Sequence, residues 1–351
     1  MLSKRSFKSM MAHCKNSALG LFILTYIIVF VADGYSQDTL KSKPSANVDK
    51  ADIKWISQWP SAVQKSSDKN KRSLKDIIIG KAKLKLNKPV SMVVNGKGNY
   101  WVLDQKNNAV FQVVNNEYEM PHFIEKKRFN LTSLVGICNF KDGKMLFTDS
   151  YLNKIFLIDP EKKSCTVLND SLKLDKPTGI AYSPLNHEIW ITETGAHRVV
   201  VLNEKGDMVK KIGSRGNAKG EFNFPTHICI DKKGNAYIVD AMNFRVQVLN
   251  KDKEVISVFG SSGDGTGSFS SPKGIAVDSY GDIYVADALF NVVQIFDING
   301  NFLYTFGSQG QEEGQFWMPA GIFIDENDRI YVADSYNSRI QIFQLITENK
   351  K

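Results

Sequence analysis

The stretch FSSPKGIAVDSYGDIYVADALFNVVQIF, Phe269 to Phe296, decides the fold. Its apolar residues fall in short β-branched and aromatic runs broken by turn formers. Gly274–Asp278 reads as one strand, Ser279-Tyr280-Gly281-Asp282 as a turn, Ile283–Asp287 as a second strand and Asn291–Phe296 as a third. Asn301–Phe306, ending at Gly307, supplies a fourth. Almost ungapped copies begin at Phe222 (FNFPTHICIDKKGNAYIVDAMNFRVQVL) and Phe316 (FWMPAGIFIDENDRIYVADSYNSRIQIF). Looser copies begin at Lys176, Ser133 and Lys88. The acid closing the second apolar run recurs as Asp104, Asp149, Glu193, Asp240, Asp287 and Asp334, at spacings of 45, 44, 47, 47 and 47 residues. Six copies of one four-stranded unit are present.

A unit of this size cannot bury both faces of its sheet alone, so copies must stack on one another. A linear solenoid would leave two ends needing polar caps. The chain ends favour a ring instead. The last copy stops after its third strand, Ile340–Leu345, while Lys75-Asp76-Ile77-Ile78-Ile79-Gly80 matches the missing fourth strand as it stands at Leu303-Tyr304-Thr305-Phe306-Gly307. The expected fold is therefore all-β: a six-bladed β-propeller of four-stranded antiparallel blades, closed by an N-terminal strand that completes the last blade and pairs an otherwise open edge.

The repeated phrase P-x-G-I-A-V-D-x-x-G-x-I-Y-V-A-D-x-x-N-x-R-I-Q-V-F resembles the NHL repeat, closely over residues 222–343 and loosely over 88–202. That resemblance implies the propeller but leaves the activity open, because one scaffold hosts unrelated functions. Related propellers include RNA-binding modules, protein-interaction platforms, a zinc-dependent amidating lyase and calcium-dependent lactonases and esterases.

Charge is unevenly placed along the 351 residues. The formal net charge is +8, of which residues 1–36 hold +3, residues 37–73 hold +4 and residues 74–351 only +1. A nearly neutral body argues against capture of a phosphate backbone, so no nucleic-acid partner is expected. Lys4, Arg5, Lys8 and Lys15 precede an uncharged run from Asn16 to Ala32, the pattern of a secretory signal. Gly34-Tyr35-Ser36 and Ala32-Asp33-Gly34 offer cleavage points, and an uncleaved anchor is the alternative, since the run is slightly short of the ~20 residues that span a bilayer. Either way the body is expected outside the cytoplasm: periplasmic, secreted or at the cell surface. The expected organisation is 1–36 signal or anchor, 37–73 polar linker, 74–345 propeller and 346–351 tail.

Chemistry is sparse. Beyond the signal, Cys138, Cys165 and Cys229 are too few and too odd in number for a disulfide framework and read as small apolar fillers. His227 stands where other copies carry Ser91, Gly136, Gly179, Gly274 and Gly321, so no imidazole partner accompanies it. The multi-blade histidines of the amidating lyases are absent, and a zinc site needs three or four ligands. Asp240 with Arg245, Asp334 with Arg339 and Glu193 with Arg198 recur at one offset, which marks staples of the turn rather than a catalytic centre. The glycine-rich stretches 213–220, 260–267 and 307–314 lack the Gly-Lys-Ser/Thr ending and the following helix of a phosphate loop. No G-x-S-x-G elbow occurs.

Where the copies differ, a recognition surface is suggested. Blade crossovers and second-to-third-strand turns should emerge on one face, carrying Tyr151, Met242, Phe244, Phe290, Trp317 and Tyr336, with His197, His227 and Lys273 nearby. The competing reading has some of these folding under to seal neighbouring blades. The sequence thus points to a non-enzymatic binding module for a protein, peptide or glycan, monomeric, with no cofactor and with membrane contact only through an uncleaved anchor. The alternative is a metal-dependent lactonase, esterase or lyase with a divalent ion in the central channel.

Overall fold

The computed structural model describes residues 52–60, 85–95, 99–114, 117–124 and 129–346. Within them the chain enters through β1 (Asp52–Trp59). Blade I follows with β2 (Pro89–Val94), β3 (Tyr100–Asp104), β4 (Ala109–Val114) and β5 (Glu117–Glu119). Blade II holds β6 (Leu134–Asn139), β7 (Met145–Asp149), β8 (Lys154–Asp159) and β9 (Ser164–Val167). Blade III holds β10 (Pro177–Ser183), β11 (Glu188–Glu193), β12 (Arg198–Asn203) and β13 (Met208–Ile212). Blade IV holds β14 (Pro225–Ile230), β15 (Ala236–Asp240), β16 (Arg245–Leu249) and β17 (Val255–Phe259). Blade V holds β18 (Pro272–Val277), β19 (Ile283–Asp287), β20 (Val292–Phe296) and β21 (Phe302–Phe306). Blade VI is built from β22 (Pro319–Ile324), β23 (Arg329–Asp334) and β24 (Arg339–Ile346), with β1 as its fourth strand.

The described strands form six four-stranded antiparallel sheets. The first strands touch around a closed circuit, β2 to β6, β10, β14, β18, β22 and back to β2. The fold is a six-bladed propeller. Closure comes from β1 against β24, with Lys54 opposite Gln344 and Trp59 opposite Ile340. Trp55 Nε1 donates to Gln341 Oε1 at 3.0 Å, and Arg339 donates to Gln58 Oε1 at 2.8 Å.

The sequence expectation for the closing strand, residues 75–80, lies outside the described residues, and the strand that fills the place is Asp52–Trp59. The polar stretch 37–73 thus contributes a strand to the propeller. A fourth strand is an outer edge with one face toward solvent, so it needs only alternate apolar contacts, here Ile53 and Trp55 against the blade V–VI core and Trp59 against the blade I–VI core. The glycine ending that selected residues 75–80 is absent from β1, which ends Gln58-Trp59.

The core lies between blades. Trp101, Trp190, Tyr237, Tyr284 and Tyr331 on second strands are fully buried, as are Phe222, Phe269 and Phe316 just before first strands. Each tyrosine hydroxyl of the three best copies donates to the aspartate that opens the first turn: Tyr237 to Asp231, Tyr284 to Asp278 and Tyr331 to Asp325, at 2.9–3.0 Å. That aspartate also accepts turn amides, for example those of Tyr280, Gly281 and Asp282. The V-D…I-Y spacing of the repeat is therefore a turn anchored from beneath by a buried phenol.

Candidate functional site

Antiparallel order places blade crossovers and second-to-third-strand turns on one face of the disk, here called the loop face. The acid ending each second strand is buried beneath it. Asp149 Oδ2 accepts the amides of Thr132 and Ser133, and its Oδ1 those of Tyr151 and Leu152. Asp287 does the same for Ser270, Ser271, Leu289 and Phe290. In three blades an arginine takes one oxygen: Arg198 on Glu193, Arg245 on Asp240 at 2.8 Å and Arg339 on Asp334 at 2.7 Å. Arg339 also donates to the carbonyls of Glu312 and Gln315, and Arg245 to those of Asn217, Ala218 and Glu221.

The glutamine two residues later completes the clamp. Gln247, Gln294 and Gln341 each accept the amide of a crossover glycine (Gly220, Gly267, Gly314) and donate to the carbonyl of the next residue. These Asp, Arg and Gln side chains hold the crossovers in place, so their polar groups are used up within the fold. The staple reading of the repeated acid–arginine pair stands on these contacts.

Of the residues singled out on this face, Tyr151, Met242, Trp317 and Tyr336 are exposed, Tyr151 the most at 71%. Phe244 is half-buried and packs on the core between blades IV and V. Phe290 is half-buried beside the amide clamp of Asp287. His197 is buried: its ring lies 4.2 Å from that of Phe224, and its Nδ1 accepts the Phe224 amide at 3.2 Å. Burial and the nearby Arg215 charge push its pKa down. The exposed tips belong to different blades, Tyr151 to blade II and Met242 to blade IV, and are not gathered. Trp317 and Tyr336 are: both belong to blade VI, their ring centroids 5.9 Å apart and planes inclined by 37°. The Lys88 ammonium sits 5.5 Å from the Tyr336 ring centroid.

The axis encloses a channel of about 240 Å³ lined by first strands of all six blades. Its lining combines isoleucine, valine and alanine with Ser91, Cys138, Asn139, Tyr182, His227 and Cys229. Four of the six first strands carry glycine at the third position, where a Cβ would strike the next blade: 2.7 Å from the Thr226 carbonyl at Gly179, 2.5 Å from that of Ala320 at Gly274. Ser91 and His227 stand at that position in the other two, and His227 is the larger departure. Burial, with help from the Lys273 charge, depresses its pKa to about 4, so the ring is neutral at pH 7, and its Nδ1 is buried without a hydrogen-bond partner. Burial raises the Cys138 thiol to about 12 and the Cys229 thiol further, which makes both inert fillers. Among the described residues no group of three His, Cys, Asp or Glu side chains converges as metal ligands would.

Two family models match the chain: the NHL repeat over residues 316–343, and a 6-bladed beta-propeller family over residues 166–248. The chain is an NHL-repeat six-bladed β-propeller. Solved structures share its fold at low identity. A virginiamycin B lyase from Staphylococcus aureus is 16% identical, covering 75% of this chain and 98% of its own, with a TM-score of 0.53. An auxiliary nutrient binding protein from Bacteroides ovatus is 14% identical, covering 75% and 70%, with a TM-score of 0.59. A gluconolactonase from Xanthomonas campestris is 13% identical, covering 75% and 87%, with a TM-score of 0.58. The similarity of this NHL propeller to all three is one of fold.

Sequence reasoning missed Lys88. It opens one of the looser copies of the repeat, in a Lys-Pro pair that also occurs at Lys176, and so reads as a repeat boundary. The residue before the proline that opens a first strand is lysine in two copies, Lys88 and Lys176, and Phe224, Ser271 and Met318 in three others, so position alone does not mark Lys88 as a site residue.

Proposed function

We propose that this propeller is a non-enzymatic binding module that holds a protein, peptide or glycan on its loop face, centred on Trp317 and Tyr336. The observation that carries the reading is this aromatic pair, large, solvent-exposed and in mutual contact on a face whose repeated acid, arginine and glutamine side chains are engaged in holding crossovers. Exposed aromatic rings supply large contact area with little entropy to lose, which suits recognition. The nutrient-binding neighbour from Bacteroides ovatus agrees with such a role. The dispersed acids and the neutral, solitary His227 weigh against a metal-dependent lactonase, esterase or lyase in the channel. The N-terminal signal-like segment supports an extracytoplasmic setting, and the near-neutral body supports a ligand other than nucleic acid.

The test is a binding screen of saccharides and peptides with wild type and the Trp317→Ala/Tyr336→Ala variant. Ligands found with wild type should bind the variant at least about tenfold more weakly. Its melting temperature should stay within about 2 °C of wild type, since both rings are exposed. A ligand bound equally well by both proteins contradicts the proposed site.

A further inference from the structure

Crossovers on the loop face lead into the first strands, so the third residues of those strands form a ring near the loop-face mouth of the channel. Their register is close: a Cβ added at Gly179 would lie 2.8 Å from the His227 Cα, and one added at Gly321 would lie 2.9 Å from that of Ser91. Ser91 in blade I and His227 in blade IV, the two ring members that are not glycine, stand three blades apart in the circuit of first strands, on opposite sides of the axis. Both line the channel, and neither side chain makes a hydrogen bond among the described residues. The Nδ1 of His227 is closed off without a partner, whereas Nε2 is not closed off. An orphaned lone pair costs less than an orphaned N–H, which puts the proton on Nε2 and leaves it the channel to donate to. Glycine serves at this position in four blades, so the packing of the ring does not require the imidazole. The other end of the channel differs: the Asn139 amide is taken by the Val94 carbonyl and the Tyr182 hydroxyl by Glu204. Hydrogen-bonding side chains left open by the fold thus face each other at the mouth.

We infer that the mouth of the channel binds a neutral monosaccharide, held across the axis between the Ser91 hydroxyl and the His227 imidazole. This site is distinct from the Trp317–Tyr336 pair and does not depend on it. The ligand is uncharged because no Asp, Glu, Lys or Arg lines the channel, and a charge brought there would lose its water without an ion to answer it. It carries hydroxyls on all sides because polar groups surround it. Each first strand ends its sheet, so its inner edge presents unpaired N–H and C=O groups to the axis from all six blades. It is a single ring because the channel holds about 240 Å³, more than the ~150 Å³ that takes one benzene and less than the ~300 Å³ at which pockets for larger ligands begin. A flat nucleobase fits less well. No Phe, Tyr or Trp stands at the level of Ser91 and His227 to stack on it; Phe323 and Tyr182 come two and three residues further along their strands.

Calorimetric titration of the full-length protein with glucose, galactose, mannose and N-acetylglucosamine tests the inference, with glucuronate as the charged control and adenine as the flat one. A neutral sugar should bind at least about tenfold more tightly than either control. His227→Gly, which installs the residue that four blades already carry, should weaken that binding about tenfold, and Ser91→Ala at least about threefold. Both unfolding curves should stay close to wild type; if that of His227→Gly does not, Ser91→Ala carries the test. In the imidazole nitrogen NMR spectrum, the His227 Nε2 signal, assigned by its loss in His227→Gly, should shift when the sugar is added. Sugar binding unchanged by both substitutions overturns the channel site. Its loss in Trp317→Ala/Tyr336→Ala would then leave the loop-face reading standing. Tightest binding of glucuronate overturns the neutral ligand, and tightest binding of adenine overturns the saccharide. No binding of any probe overturns the inference and leaves the aromatic site to its own screen.

Discussion

The arginine of the repeat illustrates how a residue that looks catalytic is structural. Arg339 is almost fully buried, pairs with the buried Asp334 and reaches the carbonyls of Glu312 and Gln315 and the side chain of Gln58. It therefore ties a crossover, a turn and the closing strand to one carboxylate. Removing it leaves Asp334 charged and partly unanswered in the interior, at a cost of about 3–5 kcal/mol. Arg339→Ala should lower the melting temperature by roughly 6 °C or more. In blade II the same position is Lys154, whose ammonium turns outward to Asp170 while Asp149 is satisfied by backbone amides alone. Lys154→Ala should therefore change stability by less than about 0.5 kcal/mol. Differential scanning calorimetry of the two variants checks the contrast; similar losses would mean that the repeat position matters for some reason other than these bonds.

Among the elements, the axial strands set the tightest constraint. Gly179, Gly274 and Gly321 bring the backbone of one first strand onto that of the next, and at Gly274 an added Cβ would lie 2.5 Å from the Ala320 carbonyl. Backbone cannot swing aside like a flexible side chain, so Gly274→Ala should cost about 1–3 kcal/mol through overpacking. Gly265→Ala, on an open crossover with nothing near the added carbon, should be close to neutral in a thermal melt. Equal melts would show that adjacent blades are less closely seated. The strand boundaries were legible in the sequence because the period-2 runs and turn residues repeat: the expected second strand Ile283–Asp287 is β19 as found, and the neighbouring strands differ by a residue or two. The site was less legible. Exposure of Trp317 and burial of His197 depend on how turns lie across the face, and contact of Trp317 with Tyr336 joins a crossover to a turn 19 residues away. Lys88 joins them across a blade boundary that no local pattern announces.

For the whole molecule, sequence similarity found the ring but not its latch. The repeat count and the missing fourth strand required an N-terminal partner, and the stretch most like a repeat was the natural candidate. The strand that pairs with β24 instead lies in Lys- and Ser-rich surroundings, held by Trp55, Gln58 and Trp59. Outer-edge strands are selected by pairing and a few contacts, so they escape a search by likeness. Ring closure joins the beginning and end of the propeller without a covalent bond, and every inference about the loop face depends on it. Amide hydrogen exchange read on peptides covering residues 52–59 and 339–346 tests it most directly. Protection of β1 close to that of β24 is the expected result, because the two strands share one ladder and open together. Exchange of residues 52–59 at the rate of an unfolded chain, with β24 still protected, would contradict the closed propeller described here.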